Sequence, residues 1–175
     1  MTLGDRWSDT LGARIGAAFR NAVPGIMMLA LVILSVIPLR LPAYATVAPM
    51  FALMALYYWA VHRPDLLPFP MVFVLGILED VLMGAPLGVH AFIFMIVLLL
   101  VSSQRRFLIG RSFWVLWWGF LIVAPLTALL EWALYSAVFG VLMPVEPTLF
   151  RTLMTMGAFP ALAWACIQLH RLVAQ

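Results

Sequence analysis

The chain has 175 residues, of which 66% are hydrophobic and 10% charged, and its ten basic residues are all arginines against seven acidic ones. That composition excludes an ordinary soluble domain and points to an integral membrane protein. A net charge of +3 without a dense basic run excludes nucleic acid as a partner. A single cysteine, Cys166, excludes an intramolecular disulfide and a thiolate metal cluster.

From the beginning of the chain, Leu3, Trp7, Leu11, Ile15 and Phe19 recur every four residues, with Asp5, Arg6, Asp9, Thr10 and Arg14 on the other side. This spacing predicts an amphipathic helix over residues 1–20 lying on the cytoplasmic membrane surface. A docking helix for a cytoplasmic partner is the functional alternative. The start does not have the short apolar run and small-residue cleavage site of a secretory signal, so the first span is expected to stay as an anchor.

Uncharged runs then follow one another, and a span needs roughly 20 such residues. They predict six transmembrane helices at about 22–39, 43–61, 67–83, 87–104, 112–132 and 149–170, an all-α polytopic protein with a single transmembrane domain over 21–175. Arg6, Arg14, Arg20, Arg63, Arg105, Arg106, Arg111 and Arg171 fall in alternate connections, leaving Arg40 and Arg151 opposite. The positive-inside rule then places both termini in the cytoplasm, with external loops centred on 38–42, 84–88 and 143–147. Tyr57, Tyr58 and Trp59 are expected at the cytoplasmic membrane level, as are Trp114, Trp117 and Trp118, whereas Trp132 and Tyr135 mark the opposite interface.

The third predicted helix carries Glu79 and Asp80 inside an apolar stretch, and carboxylates at membrane depth are expensive. Gly76, Asp80 and Gly84 are spaced by four and share one helix face, while Glu79 points about a quarter-turn away. Asp80 therefore reads as a buried carboxylate on a face able to approach another backbone closely, and Glu79 as a bystander directed to an interface or to water. Gly84 to Gly88, with Pro86 between them, ends this helix, and His90 falls in the first turn of the next. An antiparallel return brings His90 to Asp80. The alternative is that both sit solvated and unpaired at the external interface.

The stretch from Arg111 to Pro144 is too long for one perpendicular span. Pro125 is expected to kink it, Glu131 to emerge near the external interface, and residues 132–141 to run outside or along the surface. Within the external loop at Pro144, Val145, Glu146 and Pro147, polar content suffices for a partner contact. No zinc-binding His-Glu-x-x-His, nucleophile elbow or phosphate-binding glycine loop occurs, and no internal repeat is visible. The reading assigns no catalytic, cofactor or metal residue. His62 reads as part of a polar turn and His170 as a cap on the last helix.

The pattern Gly76-x-x-x-Asp80-x-x-x-Gly84-x-x-Leu87-Gly88-x-His90-Ala91, followed by an apolar helix ending in Gln104-Arg105-Arg106, resembles the rod shape-determining protein MreD family, most specifically over residues 58–106. The resemblance implies a non-enzymatic, multi-pass component of the bacterial inner membrane that takes part in lateral cell-wall synthesis. It implies MreC as partner, met mainly through transmembrane contacts, with RodA and PBP2 as further associates. It also implies a helical core similar to the substrate-binding subunits of energy-coupling vitamin transporters. In that family Asp80, Gly84 and Gly88 match recurrent positions, the Glu79 position is commonly neutral and the His90 position varies. The segment 1–20 is longer than the family's usual beginning. Structural and functional candidates are thus Gly76, Asp80, Gly84, Pro86, Gly88, His90 and Glu131. The competing reading is a substrate-binding subunit of a small-molecule transporter, which calls for a deep pocket near Asp80, His90, Glu131 and Trp132.

Overall fold

A computed structural model describes residues 24–35, 48–108 and 113–173. They form α1 (Pro24–Ser35), α2 (Phe51–His62), α3 (Phe69–Met83), α4 (Val89–Leu108), α5 (Phe113–Phe139) and α6 (Val145–Val173), with a short 3-10 turn at Pro64–Leu66. No strand occurs among the described residues. The predicted surface helix over 1–20, the loop at 38–42 and Arg111 lie outside them, as do the side chains of His170 and Arg171.

Among the described residues, three helices are long and apolar enough to cross a bilayer: α4 over Val89–Phe107, α5 over Phe113–Phe139 and α6 over Val145–Gln168. Of the six expected spans these three reach full length among the described residues; α2 and α3, of 12 and 15 residues, are shorter, and α1 is described only over Pro24–Ser35. At about 1.5 Å per residue, a 12-residue α2 reaches only about 18 Å, well under the roughly 30 Å of hydrocarbon. Every residue from Ala52 to Val61 is buried, so α2 is the central post around which α1, α4 and α6 pack, as an apolar face all round the helix allows.

In that position Tyr57, Tyr58 and Trp59 are 0–2% exposed and face the core. Tyr57 lies edge-on to Phe120 of α5 and Phe159 of α6, which stack on each other with centroids 4.1 Å apart. Its hydroxyl donates to the carbonyl of Leu116 at 3.0 Å, giving the buried polar tip a partner. Trp59 donates its indole N–H to the Met27 sulfur at 3.3 Å, fastening α1 to the post. The opposite pattern holds for Trp114 and Trp118, which are 62% and 64% exposed at the start of α5.

Helix α5 corrects the sequence reading. It does not stop at 132 but continues to Phe139 with Pro125 inside, so residues 132–139 are helix and the true connection is Gly140 to Pro144. Val145, Glu146 and Pro147 then form the first turn of α6 rather than a loop. A proline in the first turn costs no hydrogen bond, because those N–H groups have no intrahelical acceptor. Gly140 adopts φ +68° at the turn, and the Met143 carbonyl accepts the Trp132 indole N–H at 2.9 Å. The second internal proline, Pro160, removes the N–H that would bond the carbonyl of Met156. Trp117 directs its indole N–H to that carbonyl at 3.4 Å.

Candidate functional site

Asp80, on the last turn of α3, is fully buried and accepts three hydrogen bonds. Its Oδ2 takes the backbone N–H of Gly88 at 2.8 Å, and its Oδ1 takes the backbone N–H of His90 at 3.0 Å and the His90 ring Nδ1 at 2.7 Å. The backbone geometry explains why an aspartate is required there. Gly88 is the N-cap of α4, since its carbonyl accepts the first helical bond from Phe92 N–H at 2.9 Å, and a glycine has no side chain with which to satisfy the free donors of that first turn. Asp80 supplies the missing cap from the preceding helix. A negative group at a helix N-terminus also meets the positive end of the helix dipole.

The turn between them is built for this. Gly84 adopts φ +65° at the end of α3, where Gly84 N–H bonds the Val81 carbonyl and Ala85 N–H bonds the Asp80 carbonyl at 2.9 Å, a Schellman closure. Pro86 then begins a tight turn in which its carbonyl accepts Val89 N–H at 3.3 Å, and Gly88 occupies the positive-φ position at +98°. No neighbouring atom crowds either glycine, so backbone conformation alone demands them. Gly76 is required for space instead: a Cβ there would lie 2.4 Å from the Ala91 Cα and 2.6 Å from its nitrogen. Helices α3 and α4 thus touch backbone to backbone one turn below Asp80, the close approach that small residues permit between membrane helices.

The structure brings Asp80 and His90 together, and the solvated alternative is set aside because the two residues are 0% and 5% exposed. It extends the contact further than the sequence reading did. His90 Nε2 points to Glu131 Oε1 of α5 at 3.6 Å, and the same Oε1 accepts from Arg151 Nη1 of α6 at 2.7 Å. Asp80, His90, Glu131 and Arg151 therefore form one row of polar groups passing through four consecutive helices. Glu131 is 6% exposed, covered by His90 of α4 and Arg151 of α6. Arg151, one of the two arginines that the sequence places opposite the other eight, is its partner. The reading of Glu79 is overturned: it is 2% exposed and lines a small cavity with Met50, Leu53, His90, Thr127, Glu131 and Arg151. The quarter-turn that separates it from Asp80 aims it at α5 rather than at water.

A second helix end is capped across the fold in the same manner. Met50, before α2, offers its N–H to Thr155 Oγ1 of α6 at 3.0 Å, while that hydroxyl donates to the Arg151 carbonyl at 2.7 Å. Hydroxyl-to-carbonyl bonds inside helices were not singled out from sequence, and nothing in residue spacing marks which threonine serves a neighbour.

Chemically, the row is suited to holding helices together. The oxygens of Asp80 are committed to backbone and imidazole donors, and Glu131 is committed to Arg151. Among the described residues, no group of three or more His, Cys, Asp or Glu side chains is placed to hold a metal ion. The cavity beside the row measures only about 10 Å³, whereas small-molecule pockets run to about 300–1,000 Å³. A larger groove of about 410 Å³ lies elsewhere, open and apolar, between α1 and α6. The deep polar pocket expected near Asp80, His90, Glu131 and Trp132 for a transporter subunit is not what these residues form.

Comparison with known families gives a match to the model described as rod shape-determining protein MreD, over residues 19–169. The matched region contains all six described helices apart from the last turn of α6. No curated protein and no solved structure matches the chain.

Proposed function

We propose, because the chain belongs to the MreD family of rod shape-determining proteins, that it is a non-enzymatic scaffold of the cell-elongation complex in the bacterial inner membrane. The family match over residues 19–169 carries this reading. Its partner is MreC, docked mainly through transmembrane helix contacts, with RodA and PBP2 as further members of the lateral wall-synthesis machinery. All six helices are embedded in the membrane with both termini cytoplasmic, in an architecture similar to the substrate-binding subunits of energy-coupling transporters, and the segment 1–20 lies on the cytoplasmic surface.

The physical support is the way the interior polar groups are used. Gly76, Asp80, Gly84, Pro86, Gly88 and His90 fix the α3–α4 hairpin, and Glu131 with Arg151 fastens α5 and α6 to it. A rigid bundle of this kind presents constant apolar faces to neighbouring spans. On α5, Trp118, Ile122, Leu126 and Leu129 are 51–64% exposed along one face, and packing between such faces decides association in a bilayer. Co-purification of the full chain with MreC from membranes, together with rescue of rod shape in cells lacking the protein, tests the reading. Rescue with MreC recovered is the expected result; round cells, or MreC absent from the eluate, contradict it.

A further inference from the structure

The row of polar groups leaves two buried atoms without a hydrogen-bond partner, Glu79 Oε2 and His90 Nε2. Their residues border the same cavity, which Thr127, Glu131 and Arg151 also line. Glu79 is 2% exposed and His90 5%. A buried polar atom left unpaired is costly, and here two border one small cavity.

We propose that this cavity binds a single water molecule, which bridges Glu79 Oε2 to His90 Nε2 and so makes Glu79 the fifth member of the row. Two observations select water. The cavity, of about 10 Å³, has room for one water at most and for nothing larger. Its walls offer more than the two polar partners an internal water needs. Water can both donate and accept, so it serves the imidazole nitrogen and the carboxyl oxygen whichever of them carries a proton. The adjacent pair at 3.6 Å, His90 Nε2 and Glu131 Oε1, lies beyond direct hydrogen-bond reach, as expected where a third group shares the work.

The inference rests on interior geometry and not on the role of the protein in cell elongation. A map of the full-length protein in lipid nanodiscs, at a resolution where ordered waters are visible elsewhere in the molecule, tests it. A peak within hydrogen-bond distance of both Glu79 Oε2 and His90 Nε2 is expected. No peak, a direct Glu79–His90 contact, or a peak with the short contacts of a metal ion overturns it. Glu79→Gln keeps an acceptor oxygen and is expected to retain the peak, whereas Glu79→Leu is expected to lose it. Retention of the peak in Glu79→Leu also overturns the bridge. If Glu79→Leu does not fold, the wild-type and Glu79→Gln maps decide. Rod-shape rescue by Glu79→Gln is scored separately, so a failed bridge and a failed functional reading are told apart.

Discussion

At the residue scale, Asp80 replaces a local helix cap with a tertiary one. The N-cap Gly88 needs its positive φ for the turn and so cannot carry a capping side chain itself; the carboxylate of the preceding helix fills that role. Removing it leaves buried N–H groups of the first turn of α4 without an acceptor. Asp80→Ala is therefore expected to destabilise the protein by about 2–4 kcal/mol, from unpaired donors at about 1–3 kcal/mol each and partial relaxation, read as a lowered thermal midpoint in detergent. The glycines differ in kind. Gly88→Ala forces a side chain into φ +98°, at a cost of about 1–2 kcal/mol, and is expected to fold with a reduced midpoint. Gly76→Ala places a methyl group 2.4 Å from the Ala91 backbone, where neither atom can swing away. Separation of α3 from α4 follows, with loss of folded protein greater than for Gly88→Ala in the same expression and midpoint assay.

At the element scale, α5 and α6 are joined by the Glu131–Arg151 pair, an ionic contact of the row at 2.7 Å. Breaking a buried pair from one side strands the other charge and costs about 3–5 kcal/mol, whereas replacing both partners with apolar groups is often neutral. Arg151→Met is thus expected to be more damaging than Glu131→Leu combined with Arg151→Met, and a double-mutant cycle on thermal stability checks it. The exposed counterpart is Asp65, 3.9 Å from Arg105 and 70% exposed at its side chain. Such pairs contribute about 0–1 kcal/mol, so Asp65→Ala is expected to leave the midpoint within about 1 kcal/mol of wild type. The two internal prolines contrast as well, since Pro160 frees a carbonyl that Trp117 takes up from α5, tying an irregularity of one helix to the next.

At the scale of the whole molecule, what was legible in the sequence was what is local. Gly76, Asp80, Gly84, Pro86, Gly88 and His90 lie within 15 residues, so helical spacing and turn chemistry suffice to place them on one hairpin. Glu79 was misread because periodicity places it on a different face from Asp80 without saying which helix covers that face. Glu131 and Arg151 stand twenty residues apart on helices whose boundaries the sequence reading set too short: hydropathy ends α5 at the first carboxylate, but that carboxylate is neutralised from α6 and the helix continues. Tyr57, Tyr58 and Trp59 face the core, and only the surrounding helices show that α2 is enclosed. Burial inside a membrane bundle depends on neighbours, and neighbours are not encoded in the period of one helix.

With MreC as the proposed partner, the Asp80 cap is expected to hold the α3–α4 hairpin in the shape that contact needs. Quantitative co-purification of Asp80→Asn with MreC from membranes, normalised to the amount of the variant itself and read beside cell shape, tests this. Asparagine keeps one acceptor oxygen but loses the charge that strengthens every bond Asp80 makes. The account predicts either a lowered level of folded protein or a several-fold drop in recovered MreC per molecule, with rounded cells in both cases. Wild-type levels, full MreC recovery and normal rods in Asp80→Asn would contradict it.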